Sequence, residues 1–121
     1  MKFIFSSTPL IHLAKAGMAW MIEELEAERY TTPKVYKEVV EIGKEGKFSD
    51  APVVEDLIKR GVISIKEPLE EVLTFIVENH RDLHSGEAEL ISLAKSLGAI
   101  AIIDDPVARR VAEIYGVKKE G

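Results

Sequence analysis

The chain has no cysteine and no glutamine, and Asn79 is its one asparagine. Without cysteine, disulfides and thiolate metal sites are excluded. Three scattered histidines, His12, His80 and His84, argue against a histidine-rich zinc site. No run approaches the ~20 apolar residues of a membrane span, so no membrane partner is expected. Lys2 and the apolar residues after it faintly imitate a signal peptide. Pro9 and His12 interrupt that run, and the expected location is the cytoplasm. Few amides beside many Lys and Glu fit a thermophile source.

What is present is an ordinary globular composition, 46% apolar and 31% charged over 121 residues. Residues 1–121 suit a single domain with a real core. Sixteen basic against 21 acidic side chains leave a net charge of −5, which argues against a general nucleic-acid coat protein. An enzyme that holds nucleic acid through metal ions and a local basic patch remains compatible with that balance.

Ala99 to Arg110 organises the reading. The apolar run Ala99-Ile100-Ala101-Ile102-Ile103 ends in Asp104-Asp105-Pro106. So short a run reads as a strand buried on both faces of a parallel sheet. Asp105 then serves as an N-cap before a proline suited to the first helical position. Lys2 to Phe5 repeats the grammar: strand, then Ser6-Ser7-Thr8, Pro9, and a helix through Leu10, Leu13 and Ala14 to Gly17. A second helix is expected over Ala19 to Ala27 with Trp20, Met21 and Leu25 inward. Short strands are expected at Arg29 to Thr32 and at Val62, Ile63 and Ile65. Helices are expected from Pro33 to about Lys44, from Pro52 to Gly61, and from Leu69 to Asn79 with Val72, Leu73, Phe75 and Ile76 as core. The last two run from Glu87 to Leu97 and from Pro106 to Gly116, with a strand stub near Val117. Strands separated by helices imply a parallel sheet covered on both faces, a three-layer α/β/α sandwich.

Ligands in open α/β sheets bind beyond the carboxyl ends of strands, where Asp104 and Asp105 would stand. Other acids point the same way. At 100° per residue from Glu87, Ile91 lies near 40°, Ala94 near −20° and Leu90 near −60°, so Glu87 centres the apolar stripe, whereas Glu89, about 200° away, joins Ser92 and Ser96 on the wet side. Glu38 aligns with Val35 and Ile42 at the edge of its helix's apolar arc, and Glu41 falls on the solvated face. Acids converging on one crevice repel unless compensated. A salt-bridged crevice using Arg109 or Arg110 is one remedy. A hard divalent cation, Mg²⁺ or Mn²⁺, is the other, since the available donors are oxygens. Such a cation activates water and neutralises phosphodiester charge.

The pieces Ser6-Ser7-Thr8-Pro9-Leu10-Ile11, Pro33-Lys34-Val35-Tyr36-Lys37-Glu38-Val39, Ser85-Gly86-Glu87-Ala88-Glu89-Leu90 and Ile102-Ile103-Asp104-Asp105 together resemble the PIN-domain family of Mg²⁺/Mn²⁺-dependent ribonucleases. The likeness extends over nearly the whole chain and is greatest to a prokaryotic branch related to the VapC toxins of toxin–antitoxin pairs. It implies a PIN-like sandwich and an acidic crevice for cleaving single-stranded RNA. By that resemblance the catalytic acids fall on Glu38, Glu87 and Asp105, with Asp104 and Ser6 also at the metal. Arg109, Arg110, Lys34 and Lys37 are expected phosphate contacts. An antitoxin protein and a second copy of the chain, as a homodimer, are the implied protein partners.

The departure is Ser6, which stands where the family has its first-strand acid. A hydroxyl can coordinate a metal or hold its water but brings no charge. The alternative function is therefore a weakened or inactive relative acting as an RNA- or protein-binding module. A phosphorylation receiver domain also gathers acids at strand ends, but its acidic pair follows the first strand, where this chain has Ser6-Ser7.

Overall fold

The computed structural model of the chain describes residues 1–120. Five short strands form one parallel sheet in the order β3-β2-β1-β4-β5. They are β1 Lys2–Phe5, β2 Glu28–Thr31, β3 Ser64–Ile65, β4 Ile100–Ile102 and β5 Lys119–Glu120. β1 is central, with Ile4 opposite Tyr30 on one side and Ala101 on the other. The chain lays down β2 and β3 to one side of β1, then returns to place β4 and β5 on the other. The strand order therefore reverses between β1 and β4, and the carboxyl ends of strands at such a reversal are where open α/β sheets bind ligands.

Helices cover both faces. α1 (Ser7–Lys15), α5 (Asp50–Lys59) and the helix between β2 and α5 pack together in one layer. α6 (Glu70–Asn79), α7 (Ser85–Leu97) and α8 (Pro106–Ile114) form the other, with α7 lying on β1 and β4. Ile4, Ala101, Leu90, Ile91 and Leu93 are fully buried between them. The expected three-layer α/β/α sandwich is what forms.

The helix after β2 is not uniform. α3 (Pro33–Tyr36) runs into a π-helical turn, Lys37–Ile42, and then α4 (Gly43–Glu45). Thr32 caps the start by accepting the Val35 N–H and Pro33 fills the first position, as a Thr-Pro pair should. The π turn slips the register so that Val39 and Val40 are both buried while Ile42 is 50% exposed. Ile42 thus leaves the apolar arc that 3.6 periodicity assigns it.

Other expected boundaries and faces move. α2 is a single turn, Trp20–Glu23, and only Ile22 reaches the core. Trp20, Met21 and Leu25 are exposed, because a four-residue turn at the rim has no face to define. Phe75 is also 56% exposed; it meets Tyr115 edge-on with centroids 6.3 Å apart instead of entering the core. The third strand is shorter than expected, since the N–H groups of Val62 and Ile63 donate to the Leu57 carbonyl of α5 instead of joining the sheet. α5 starts at Asp50 and α7 at Ser85. Both start earlier than their prolines and glutamates suggest.

The largest correction concerns α7. Glu89 is only 6% exposed and Ser92 is fully buried, so the first part of this side is not wet, whereas Ser96 one turn later is exposed as expected. α7 touches α3, α6, α8, β1 and β4 and is enclosed on nearly every side. Ser92 Oγ donates to the Ala88 carbonyl at 2.7 Å and Ser96 Oγ to that of Ser92 at 3.0 Å. Serines satisfied within their own helix tolerate burial. Glu89 Oε1 accepts the Lys34 N–H at 3.0 Å, which ties α7 to a free donor at the start of α3. Gly98 ends the helix at φ 64°, a left-handed conformation that favours glycine.

Leu90 is the natural probe of this arrangement, being fully buried on the most enclosed helix. Leu90→Ala is expected to lower unfolding free energy by about 2–5 kcal/mol, read from urea titration. A loss under about 1 kcal/mol would mean that α7 is not the centre of the core.

Candidate metal and active centre

The crevice at the sheet reversal is built from four separate stretches. Ser6 follows β1 and its N–H donates to the Ile102 carbonyl of β4 at 3.1 Å, which fixes it against the neighbouring strand. The Ser6 side chain is buried and makes no capping bond to α1. Ser7 Oγ donates to Glu38 Oε2 at 2.7 Å across 31 residues. That bond orients an otherwise exposed carboxylate of the π turn. Single π turns inside α-helices recur at functional sites.

After β4, Asp105 Oδ2 accepts the Ala108 N–H at 2.9 Å, the N-cap expected from Asp-Pro. Capping engages one oxygen and holds the carboxyl group still. Asp104 is exposed and lines a hollow with Pro9, His12 and Leu13, on the α1 side. Arg109 donates to the Ile103 carbonyl at 2.9 Å, and Arg110 is exposed. Among the described residues, no ion pair includes Glu38, Glu87, Asp104 or Asp105. The salt-bridged crevice is not what forms.

Glu87 is the centre of the group. It sits in the first turn of α7, and its Oε2 is buried with no hydrogen-bond partner. Its pKa is raised, first by burial and then by the charge of Asp105; His84 opposes the rise, and Glu38 and Asp104 add to it. Burial penalises the carboxylate and neighbouring negative charge penalises it further. Glu38, Asp104 and Asp105 thus all lie within electrostatic reach of Glu87. They are not drawn in to ligand distance: among the described residues no three His, Cys, Asp or Glu side chains form a ready metal cluster. An unpartnered buried carboxylate oxygen among other acids is nevertheless the donor set that a hard cation satisfies. The residues present fit a divalent ion.

The basic side chains divide. Lys34 and Lys37 line a hollow that includes Glu38, whereas Arg109 directs one N–H group to the Ile103 carbonyl. Sequence reasoning missed Ser7 and His84 beside the acids and Glu89 beneath them. Ser7 was hidden because its partner Glu38 lies 31 residues away, and His84 because its role is a local cap on the Gly86 N–H. Glu89 was hidden by treating α7 as a surface helix. Its signal was the scarcity of charge along Ala88 to Ala94, where Glu89 is the one ionisable residue.

Comparison with known proteins agrees with this architecture. The DUF3368 family profile, a PIN domain, matches residues 2–121. The chain belongs to the PIN-domain family. It is 32% identical over 103 residues to endoribonuclease Nob1 of Pyrococcus abyssi, covering 80% of this chain and 60% of that protein. It is also 32% identical over 103 residues to a protein named GTPase Era of Syntrophus aciditrophicus, covering 80% of this chain and 33% of that protein. The chain therefore spans less than two thirds of either relative. The fold is shared with the structure of VapBC-1 from nontypeable Haemophilus influenzae, at TM-score 0.72 and 14% identity over 99% of this chain and 97% of that one. It is shared also with PAE2754 from Pyrobaculum aerophilum, at TM-score 0.59 and 20% identity over 98% of this chain and 92% of that one.

The raised pKa of Glu87 has a thermodynamic consequence. A carboxyl that binds its proton more tightly when folded contributes stability at low pH that is lost as pH rises above the ordinary value of 4.5 and through the folded pKa. With divalent ions chelated, Glu87→Gln is expected to unfold at a higher temperature than wild type at neutral pH. The two should converge near pH 4. Equal melting temperatures at neutral pH would contradict the burial and crowding of Glu87.

Proposed function

We propose that the protein is a divalent-cation-dependent endoribonuclease acting on single-stranded RNA. Glu38, Glu87 and Asp105 are the catalytic acids that hold Mg²⁺ or Mn²⁺, with Asp104 and Ser6 beside them. Family membership supports the class, since PIN nucleases are generally divalent-metal dependent. The observation that carries the reading is the buried, unpartnered Glu87 Oε2, whose pKa is raised by burial and by Asp105, Glu38 and Asp104.

The bound ion supplies charge neutralisation at the phosphodiester and an activated water. The chain's own residues do the rest. Ser7 holds Glu38 in orientation through its 2.7 Å hydrogen bond. Ala108 N–H fixes Asp105, and Arg109 stiffens the strand end by binding the Ile103 carbonyl. Lys34 and Lys37 meet phosphate on the Glu38 side, and Arg110 is a phosphate contact from α8. The exposed Met18, Trp20, Met21 and Leu25 supply apolar surface for a homodimer. An antitoxin protein is the further partner proposed, and the cytoplasm the location.

A second reading is favoured by Ser6. With no first-strand acid, the same fold serves as a weakened nuclease or as an RNA- or protein-binding module. Mn²⁺-stimulated cleavage of single-stranded RNA tests the first reading. Glu87→Gln and Asp105→Asn are each expected to lower it at least about 100-fold, the scale of an essential catalytic group. Unchanged cleavage in both variants would defeat the assignment. Ser6→Asp separates the two readings: a gain of about tenfold or more, roughly one added charge at the centre, marks the natural protein as weakened. No gain marks Ser6 as sufficient.

A further inference from the structure

The hollow beside Glu38 has features that the acids do not use. Lys34, Lys37, Glu38, Ile42 and His84 surround about 310 Å³ of space floored by Gly86. Pockets of this size are at the lower end of those that take small ligands. Among the described residues neither lysine is in an ion pair. Ile42 is turned outward by the π segment and is 50% exposed.

His84 is held in a defined way. It is the N-cap of α7, and its Nδ1 accepts the Gly86 N–H at 3.2 Å. With Nδ1 occupied as an acceptor, the neutral ring carries its proton on Nε2. The ring lies over Gly86, where a Cβ would meet Nδ1 at 3.4 Å and Cε1 at 3.6 Å. The cap that starts the helix therefore also fixes a single N–H donor on an exposed ring. Two ammonium groups, one fixed donor and an exposed aliphatic face match the parts of a nucleotide: an anionic phosphate, hydrogen-bond acceptors and a flat base. A nucleotide joins an anion and a flat apolar face within one residue, which suits lysines and an aliphatic side chain sharing so small a hollow.

We propose that this hollow is a single-nucleotide subsite flanking the cleaved phosphodiester. Lys34 and Lys37 take the phosphate, Ile42 packs against the base, and His84 Nε2–H donates to the nucleotide. The assignment rests on the nuclease reading for its orientation, because Glu38 is common to the hollow and the acidic centre. His84 is a substrate-binding group here as well as a cap.

The test is fluorescence anisotropy with a labelled oligouridylate, in Ca²⁺, which takes the same oxygen donors as the proposed ion. His84→Asn keeps a capping acceptor and removes the ring; Ile42→Ser removes the apolar face without adding charge. Each is expected to weaken binding about three- to tenfold, the effect of one hydrogen bond or one small apolar contact. His84→Asn should melt with wild type and raise KM in Mn²⁺ by the same factor at unchanged kcat. Lys37→Ala should also weaken binding and flatten its salt dependence. Wild-type affinity in both His84→Asn and Ile42→Ser overturns the subsite, as does a wild-type protein that binds no oligouridylate. Weakened binding in a protein that cleaves nothing supports the subsite and defeats the nuclease reading, so the two failures are distinguishable.

Discussion

Charge crowding around a buried carboxylate is the constraint on which the site depends. Glu87 begins the most enclosed helix of the molecule, and its Oε2 has neither water-facing surface nor a protein donor. Asp105, Glu38 and Asp104 all push its pKa upward. Proteins rarely keep a buried charge unpaired, because the desolvation is not returned. Here no lysine or arginine is paired with these acids among the described residues. A cation from solution is the remedy that the surrounding oxygens can accept.

The fold makes the crowding unavoidable. Parallel strands with the order 3-2-1-4-5 bring the ends of β1 and β4 side by side. Whatever follows those strands must share one crevice. Ser6 and Asp105 are there by topology, and Glu87 is there because α7 starts above it. Glu38 is brought in from the second crossover by the π turn and held by Ser7. Glu89 stabilises the same region from below the surface by accepting from Lys34, so α3 and α7 are fastened next to the acids. Function and packing share residues here: the Asp105 that caps α8 and the His84 that caps α7 both border the site.

Much of this was legible in the residues. The apolar runs Phe3-Ile4-Phe5 and Ala99 to Ile103, each followed within a few polar residues by a Thr-Pro or Asp-Pro step, are read directly as parallel strands leading into helices. Glu87 was found because a helical wheel places it among Leu90, Ile91 and Ala94, and the structure leaves it partly buried. The same wheel failed two residues later. It assumes one apolar face, whereas α7 is buried all round from Ala88 to Ala94, and the buried Ser92 that seems to mark a wet side satisfies itself on the i−4 carbonyl. Ile42 was misplaced because a π turn breaks 3.6 periodicity and leaves no mark in composition. Helical patterning turns Trp20 and Phe75 inward, yet both are more than half exposed. Convergence of Glu38 and Glu87 in space is a property of topology, and no local pattern carries it.

Mn²⁺ titration calorimetry on the wild-type protein tests the central claim most directly. The account predicts saturable binding that is lost in Glu87→Gln, with protons released on binding in mildly acidic buffer as the crowded carboxyl gives up its proton. Absence of binding, or binding of equal strength and without proton release in the variant, would contradict it.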